Sequence, residues 1–395
     1  MMGINSSRKQ KVHSLTGRIT PRLLLEAFKA VKRNRGAAGI DKVSIKMFEA
    51  NLADNLRALM QSLKDGSFEP FPLRRAFVPK NETEVRPLGI PAVRDRVAQE
   101  VVRRLLNPIF EPLFHPSSHG FRQGRNCHAA IRQALALHHK GFRVVLDADI
   151  KAFFDNLLQP VIMKGVAAEV ADGNILRLVQ KFLRSGVMEN GVFKPTTVGT
   201  PQGGVISPLL ANIVLNQLDW QLHERGFNFV RYADDFVVIC QSKTQAEGAL
   251  NLVQQVLATL GLQLSVEKTR ITTFGKGYSF LGFVLSARSR RMRPKSVQKF
   301  KDKIRALTVR HHNFEPETIV RLNRVIRGTS LYFATSFSTC RRQFLKLDSW
   351  IRMRLRCMKL KRKLASDNYK LRNRTFHKLG LVSMEQFCLS WAAKA

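Results

Sequence analysis

Apolar positions along the first 285 residues switch repeatedly between two periods. In "PRLLLEAFKAVKR" (21–33) and "SIKMFEANLADNLRALMQSLKDG" (44–66) they recur three and four apart, which predicts amphipathic helices, the second stopped by Gly66. The same spacing runs through 94–114, 173–186, 208–226 and 243–265. Short runs with strand character lie between them: "RRAFVPK" (74–80), "FRVVLDADI" (142–150), two in "FVRYADDFVVIC" (229–240) and two in "RITTFGKGYSFLGFVL" (270–285). After residue 286 the pattern is helical. This order predicts an α+β fold, with a small antiparallel sheet backed by helices and carboxylates at its strand ends.

Those carboxylates are the first chemical signal. Asp234 and Asp235 interrupt two apolar runs, and an unpaired buried carboxylate costs several kcal/mol. Neighbouring strand residues face opposite ways, so both acids reach one site only at a bend, and "YADD" is expected to cap a tight hairpin. Alone it reads equally as a solvated turn. A second acidic strand end, "VVLDADIKAFFDN", brings Asp147, Asp149 and Asp155. With both strands central in one sheet, Asp149 and Asp234 converge, and such hard oxygens suit Mg²⁺ held partly by substrate phosphates. Two ions roughly 3.5 to 4 Å apart would activate a 3′-hydroxyl and stabilise leaving pyrophosphate. Asp147, on the same strand face as Asp149, competes for the ligand role.

Charge names the partner class. Lys and Arg number 66 against 29 Asp and Glu, a formal charge of +37 over 395 residues, which points to a polyanion. Nucleic acid fits better than a membrane surface, because no apolar run approaches the roughly 18 to 20 residues of a span. The excess concentrates in 284–395, with 28 Lys/Arg against 6 Asp/Glu, and predicts a boundary near "SARSRRMRPKS" (286–296). In "WIRMRLRCMKLKRK" (350–363), Ile351, Met353, Leu355 and Met358 interleave with the cations. One face packs while the other stays basic, suited to a nucleic acid held by counterion release. Five scattered cysteines without a CxxC pair speak for reduced thiols and against a zinc ribbon. The start has no apolar segment suited to a signal peptide, and its chance likeness to a myristoylation pattern is spoiled by an extra Met. A cytoplasmic location is expected, with nucleoid or ribonucleoprotein association.

Taken in order, the motifs resemble those of bacterial group II intron-encoded, maturase-type reverse transcriptases over nearly the whole chain. "GAAGIDKVS" (36–44) resembles the N-terminal extension, and "VRPLGIP" (85–91) and "HGFRQGRNCHAAI" (119–131) the fingers blocks. "DIKAFFDN" resembles palm motif A, "GTPQGGVISPLLANIVLNQLD" (199–219) motif B, "YADD" motif C and "LSVEKT" (264–269) motif D. "FLGF" (280–283) resembles the primer grip and "LNRVIRGTSLYF" (322–333) the thumb, or maturase X, block. The resemblance implies a right-hand polymerase of fingers, palm and a helical basic thumb. It implies a division into an N-terminal extension (1–61), fingers and palm (62–285), thumb/X domain (286–365) and basic tail (366–395). Two features depart from the family. Thr329 follows Gly328 where Trp is usual, and the chain ends about 30 residues after the last basic helix, so no HNH endonuclease domain is expected.

The resemblance also assigns roles. Asp149, Asp234, Asp235 and the Ile150 carbonyl would hold two Mg²⁺ ions, with Mn²⁺ as a substitute. Phe154 would exclude a 2′-hydroxyl, with Phe153 beside it in the core. Lys80 and Arg86 would clamp the triphosphate, as a point charge and a bidentate fork. Gln202 would lie beside the incoming nucleotide. The "GTPQGG" glycines, Gly203 among them, would let backbone approach the template pair, ahead of a helix interrupted by Pro208. Lys268 would protonate pyrophosphate, or else form a surface pair with Glu267. Arg122 and Arg125 would hold a template strand, with Tyr232, Leu281 and Gly282 as further nucleic-acid contacts. His115, His119, His128, His138 and His139 lack metal-ligand spacing and read as core or surface residues. The implied partners are an RNA template, a DNA or RNA primer, dNTPs and a structured intron RNA, for splicing and retrohoming. A domesticated relative in phage defence, DNA repair or spacer acquisition is the alternative.

Overall fold

Two short side chains show how the helices start. The Thr20 hydroxyl accepts from Leu23 N–H ahead of Pro21, and the Asp172 carboxylate accepts from Asn174 and Ile175 N–H, satisfying amides that have no partner within the first helical turn. The computed structural model describes residues 11–79, 85–200 and 203–392. They divide into two compact units, Met1–Ala134 with Leu146–Arg270, and Leu135–Val145 with Ile271–Ala395.

The first unit begins with α1 (Pro21–Asn34), α2 (Ile45–Ala50), α3 (Leu52–Asp65), β1 (Leu73–Pro79), β2 (Val85–Ile90) and α4 (Val93–Phe110). It continues through α5 (Cys127–His139), whose end passes into the second unit, and β3 (Val144–Asp149), whose end returns. Then come α6 (Phe153–Asn156), α7 (Gln159–Glu169), α8 (Gly173–Arg184), β4 (Val187–Glu189), β5 (Val192–Lys194), α9 (Ser207–Glu224), β6 (Asn228–Tyr232), β7 (Asp235–Cys240) and α10 (Lys243–Thr259). One sheet runs β2-β1-β4-β5, antiparallel except for the short parallel β1–β4 pairing. In another, β6, β7 and β3 lie side by side. The β6–β7 register runs from Asn228 opposite Ile239 to Tyr232 opposite Asp235, leaving Ala233 and Asp234 as a two-residue turn. Helices α9 and α10 back this hairpin, with Leu210, Val214 and Leu218 of one and Val253 and Leu257 of the other fully buried.

The second unit contains β8 (Arg270–Thr273, from its second residue), β9 (Tyr278–Phe280), β10 (Phe283–Leu285), β11 (Arg290–Met292), α11 (Pro294–Leu307), α12 (Pro316–Phe333) and α13 (Arg341–Leu360). It closes with α14 (Asp367–Lys370), α15 (Asn373–Lys378) and α16 (Met384–Ala392). An antiparallel sheet β11-β10-β9 places Phe283 against the rings of Tyr332, Phe333 and Phe337. This shared core carries "FLGF" with the basic helices, so the units part after Arg270, ahead of the boundary that charge alone marks at 286.

Two local expectations change, and one element was not expected. The helix expected over 44–66 is two, divided at Asn51, which ends α2 and starts α3. Pro208 does not interrupt a helix: it occupies the first turn of α9, where its missing N–H and fixed φ are favourable. The β4–β5 hairpin is too short for its pattern to stand out in the sequence.

Candidate active site

The "YADD" turn rests on a buried polar network. Ala233 has φ 59°, a left-handed conformation that costs a non-glycine residue about 1 to 3 kcal/mol unless its surroundings enforce it. Arg231, with no exposed surface, supplies much of that enforcement. Its Nη1 donates to the Ala233 carbonyl and to Asn212 Oδ1 at 2.9 Å each, while Nε and Nη2 lie 2.7 and 2.5 Å from the two oxygens of the equally buried Asp219. From below, Arg231 N–H donates to Ser117 O, and His119 N–H donates to Arg231 O. Gly120 lies so close that a Cβ there would be 2.2 Å from Ala233 N. Tyr232 is half-buried and its hydroxyl shares a hydrogen bond with the Cys127 thiol; burial first, then Cys127, pushes the phenol up to about 12. Sequence reasoning did not single out Arg231, Asp219, Asn212 or Gly120. For Arg231 and Asp219 a signal was present, as charged residues inside the apolar stretches "FVRYA" and "NQLDW".

At the end of β3, Asp149 Oδ2 accepts from Lys268 Nζ at 2.8 Å, and the Asp149 side chain is 40% exposed. The surface-pair alternative for Lys268 named Glu267; the pair seen here is with Asp149. Asp147 pairs instead with Arg270 at 3.2 Å. Burial raises the Asp147 pKa, Arg270 opposes the rise and Asp149 adds to it. Ile150 bridges antiparallel to Leu264, flanked by Ser265 N–H donating to Asp149 O and Lys151 N–H donating to Gln263 O. In such a pairing the groups of Ile150 itself point away from Leu264, so its carbonyl is left over from both bonds. Among the described residues, no three His, Cys, Asp or Glu side chains form a metal-holding group.

The "GTPQGG" loop is stitched to protein backbone. Gly199 N–H donates to Leu157 O, and Thr200 N–H to Phe154 O. Gly203 has φ 114°, and a Cβ there would be 2.4 Å from Gly89 O on β2. Within the chain, the approach that this glycine permits is to Gly89. A cavity of about 280 Å³ lies beside the loop, among Arg75, Asp155, Lys194, Gly199 and Thr200. Phe153 is buried and Phe154 half-buried, their rings edge to face at 5.1 Å. Arg86 lies on β2 opposite Val78, whereas Lys80 and Gln202 fall outside the described residues.

Arg122 is held by protein groups. It is buried, with Nε and Nη2 on Glu111 and Nη1 donating to His115 O at 2.7 Å and Ser118 O at 2.8 Å. A guanidinium spent on these protein acceptors shapes its loop. Arg125 is half-buried and donates to Pro116 O. In the second unit, Leu281 (φ 46°) accepts from the Tyr332 hydroxyl at 2.8 Å, and Gly282 O accepts from Ser296 Oγ at 3.1 Å. His115 and His119 are buried, and His115 packs among Trp220, His223 and Phe229.

Residues 78–285 match the family described as reverse transcriptase (RNA-dependent DNA polymerase). The chain belongs to this family. Residues 297–378 match the group II intron, maturase-specific domain. The reverse transcriptase is 35% identical over 303 residues to protein YkfC of Escherichia coli (strain K12), covering 66% of this chain and 80% of that one. It is 38% identical over 204 residues to the group II intron-encoded protein LtrA of Lactococcus lactis subsp. cremoris, covering 51% of this chain and 33% of LtrA. A 91 kDa protein in a cob intron of Schizosaccharomyces pombe is 36% identical over 199 residues, covering 50% of this chain and 24% of that protein. The right-hand polymerase fold goes with this membership, and reverse transcriptases use divalent metal ions. No helix among the described residues is long and apolar enough to cross a membrane.

Proposed function

We propose that the chain copies RNA into DNA by adding dNTPs to a primer 3′-hydroxyl, with Asp149 and Asp234 the principal holders of two Mg²⁺ ions. Asp235 is the third carboxylate and the Ile150 carbonyl a further oxygen. The observation that carries this reading is that β3 ends on Asp149 beside β7, which opens on Asp235 directly after the turn acid Asp234. The donors fit the ion. All are hard oxygens, Asp149 is accessible, and Mg²⁺ takes one or two carboxylates plus substrate phosphates in preference to a closed protein cage. Ions held by these oxygens would supply activation of the 3′-hydroxyl and neutralisation of charge on the leaving pyrophosphate, and Mn²⁺ would substitute.

The remaining roles belong to side chains. Phe154 stands at the sugar of the incoming nucleotide and leaves no room for a 2′-hydroxyl. Lys80 and Arg86 hold the triphosphate, with Gln202 beside it. Lys268 passes a proton to pyrophosphate. Arg125, Tyr232, Leu281 and Gly282 guide template and primer strands. Outside the palm, the match over 297–378 and the 28 Lys/Arg of 284–395 support a second task, gripping a folded intron RNA during splicing and retrohoming.

Primer extension with the purified chain tests the reading. An RNA template with an annealed DNA primer should be copied, chelation should stop synthesis, and Mg²⁺ or Mn²⁺ should restore it. Copying of DNA but not RNA templates would overturn the RNA-directed assignment. Sequencing of co-purifying RNA should show one structured transcript enriched.

A further inference from the structure

Tyr369 is 80% exposed, on the short helix α14. A ring left in water contributes nothing to the core and gains no burial energy from folding. The backbone beneath it is nonetheless held on both sides. Ahead of the ring, the buried Asp367 carboxylate accepts from Arg362 Nε and Nη2 at 3.2 and 3.0 Å and from Leu364 N–H. Behind it, the buried Arg356 donates to Leu371 O at 2.8 Å and Asn373 Oδ1 at 2.7 Å, and its guanidinium lies over the Phe376 ring. The ring is therefore presented from a pinned turn.

Its surroundings select the partner. Between residues 359 and 378 the sequence has eight Lys/Arg, all exposed, and one acid, Asp367, which is buried and spent on Arg362. Cations alone hold any nucleic-acid backbone, paired or not. A free-standing aromatic face adds something a duplex cannot use, because paired bases already stack on one another. Bases splayed from loops and bulges are what exposed aromatics capture.

We propose that Tyr369 is a stacking platform for an unpaired base of structured RNA, with the flanking phosphates held by the cations around it. This rests on the reading that the chain grips RNA, and it specifies which part of that RNA is held here. The protein thereby distinguishes a looped RNA from a helix of equal charge.

The test uses the full chain and two RNA probes of equal length, a hairpin with a single-stranded loop and a fully paired duplex. Tyr369→Ala should weaken hairpin binding by about 5- to 150-fold, the range of one lost base stack. Duplex affinity and the salt dependence of hairpin binding should stay as in the wild type. Tyr369→Trp should keep hairpin affinity. Lys361→Gln with Lys363→Gln should weaken both probes and flatten the salt dependence. Equal loss of hairpin and duplex binding in Tyr369→Ala, or no loss of either, would overturn the platform while leaving RNA binding intact. Failure of the wild type to bind either probe would overturn both readings.

Discussion

Arg231 and Asp219 form a salt bridge with neither side chain exposed, and the same guanidinium donates to the carbonyl of Ala233 in the "YADD" turn. Removing one partner leaves an uncompensated buried charge, which costs about 3 to 5 kcal/mol. Asp219→Asn and Arg231→Met should each lower stability by that amount in chemical denaturation. The double replacement by apolar residues should recover much of the loss, since no charge then stays buried. Arg231→Lys keeps the charge but cannot reach Asp219, Asn212 and Ala233 together. It should depress the rate of synthesis more than it depresses stability.

Lys268 and Asp149 lie 2.8 Å apart, half in solvent. An exposed pair of this kind contributes about 0.2 to 1 kcal/mol, so Lys268→Met should leave the fold stable. Without the ammonium on Oδ2, the Mg²⁺ concentration for half-maximal synthesis should fall by up to about fivefold. If Lys268 delivers the proton to pyrophosphate, the rate at saturating Mg²⁺ should also fall, by about 10² to 10⁴. An unchanged saturating rate would confine the lysine to screening Asp149.

Asp95 sets a pH dependence. Burial pushes its carboxyl up to about 6 from 3.8, against the opposing pull of Arg94 and the Phe71 N–H. Below about pH 4 both folded and unfolded chains hold the proton. As pH rises from there the unfolded chain ionises first, so the stability contributed by the neutral form is lost through about pH 6. Between pH 4.5 and 7.5 the wild type should lose on the order of 2 kcal/mol that Asp95→Asn does not lose. Identical pH profiles in the two proteins would exclude the effect.

Two glycines should respond in opposite directions. Gly328 lies inside α12, where a Cβ would meet nothing within 4 Å. Gly328→Ala should therefore stabilise the chain by about 0.5 to 1 kcal/mol in thermal unfolding. Gly203→Ala combines a positive φ with a Cβ that collides with Gly89 O. It should displace the "GTPQGG" loop and suppress synthesis, at a cost of about 1 to 3 kcal/mol.

Much of this was legible in the sequence because it is periodic or local. Amphipathic spacing located the long helices, and Asp between apolar runs located the ends of β3 and the β6–β7 hairpin. What was not legible depends on residues far apart in the chain. Nothing in the spacing of Arg122 distinguishes a guanidinium satisfied by Glu111 and two carbonyls from one offered to phosphate. Gly203 announced a close approach, but not that its neighbour is Gly89. The network under Ala233 joins positions 120, 212, 219 and 231, whose relation exists only after folding. Charge marked residue 286, whereas packing of Phe283 on the rings of α12 moved the break to Arg270.

The most direct test of the central claim is primer extension by Asp234→Asn beside its binding to structured RNA. The substitution keeps the size of the turn residue and removes the anion proposed to hold metal. The account predicts that DNA synthesis is lost on RNA templates at any Mg²⁺ concentration while RNA affinity stays within a few-fold of wild type. An Asp234→Asn protein that still extends the primer at near wild-type rate would contradict it.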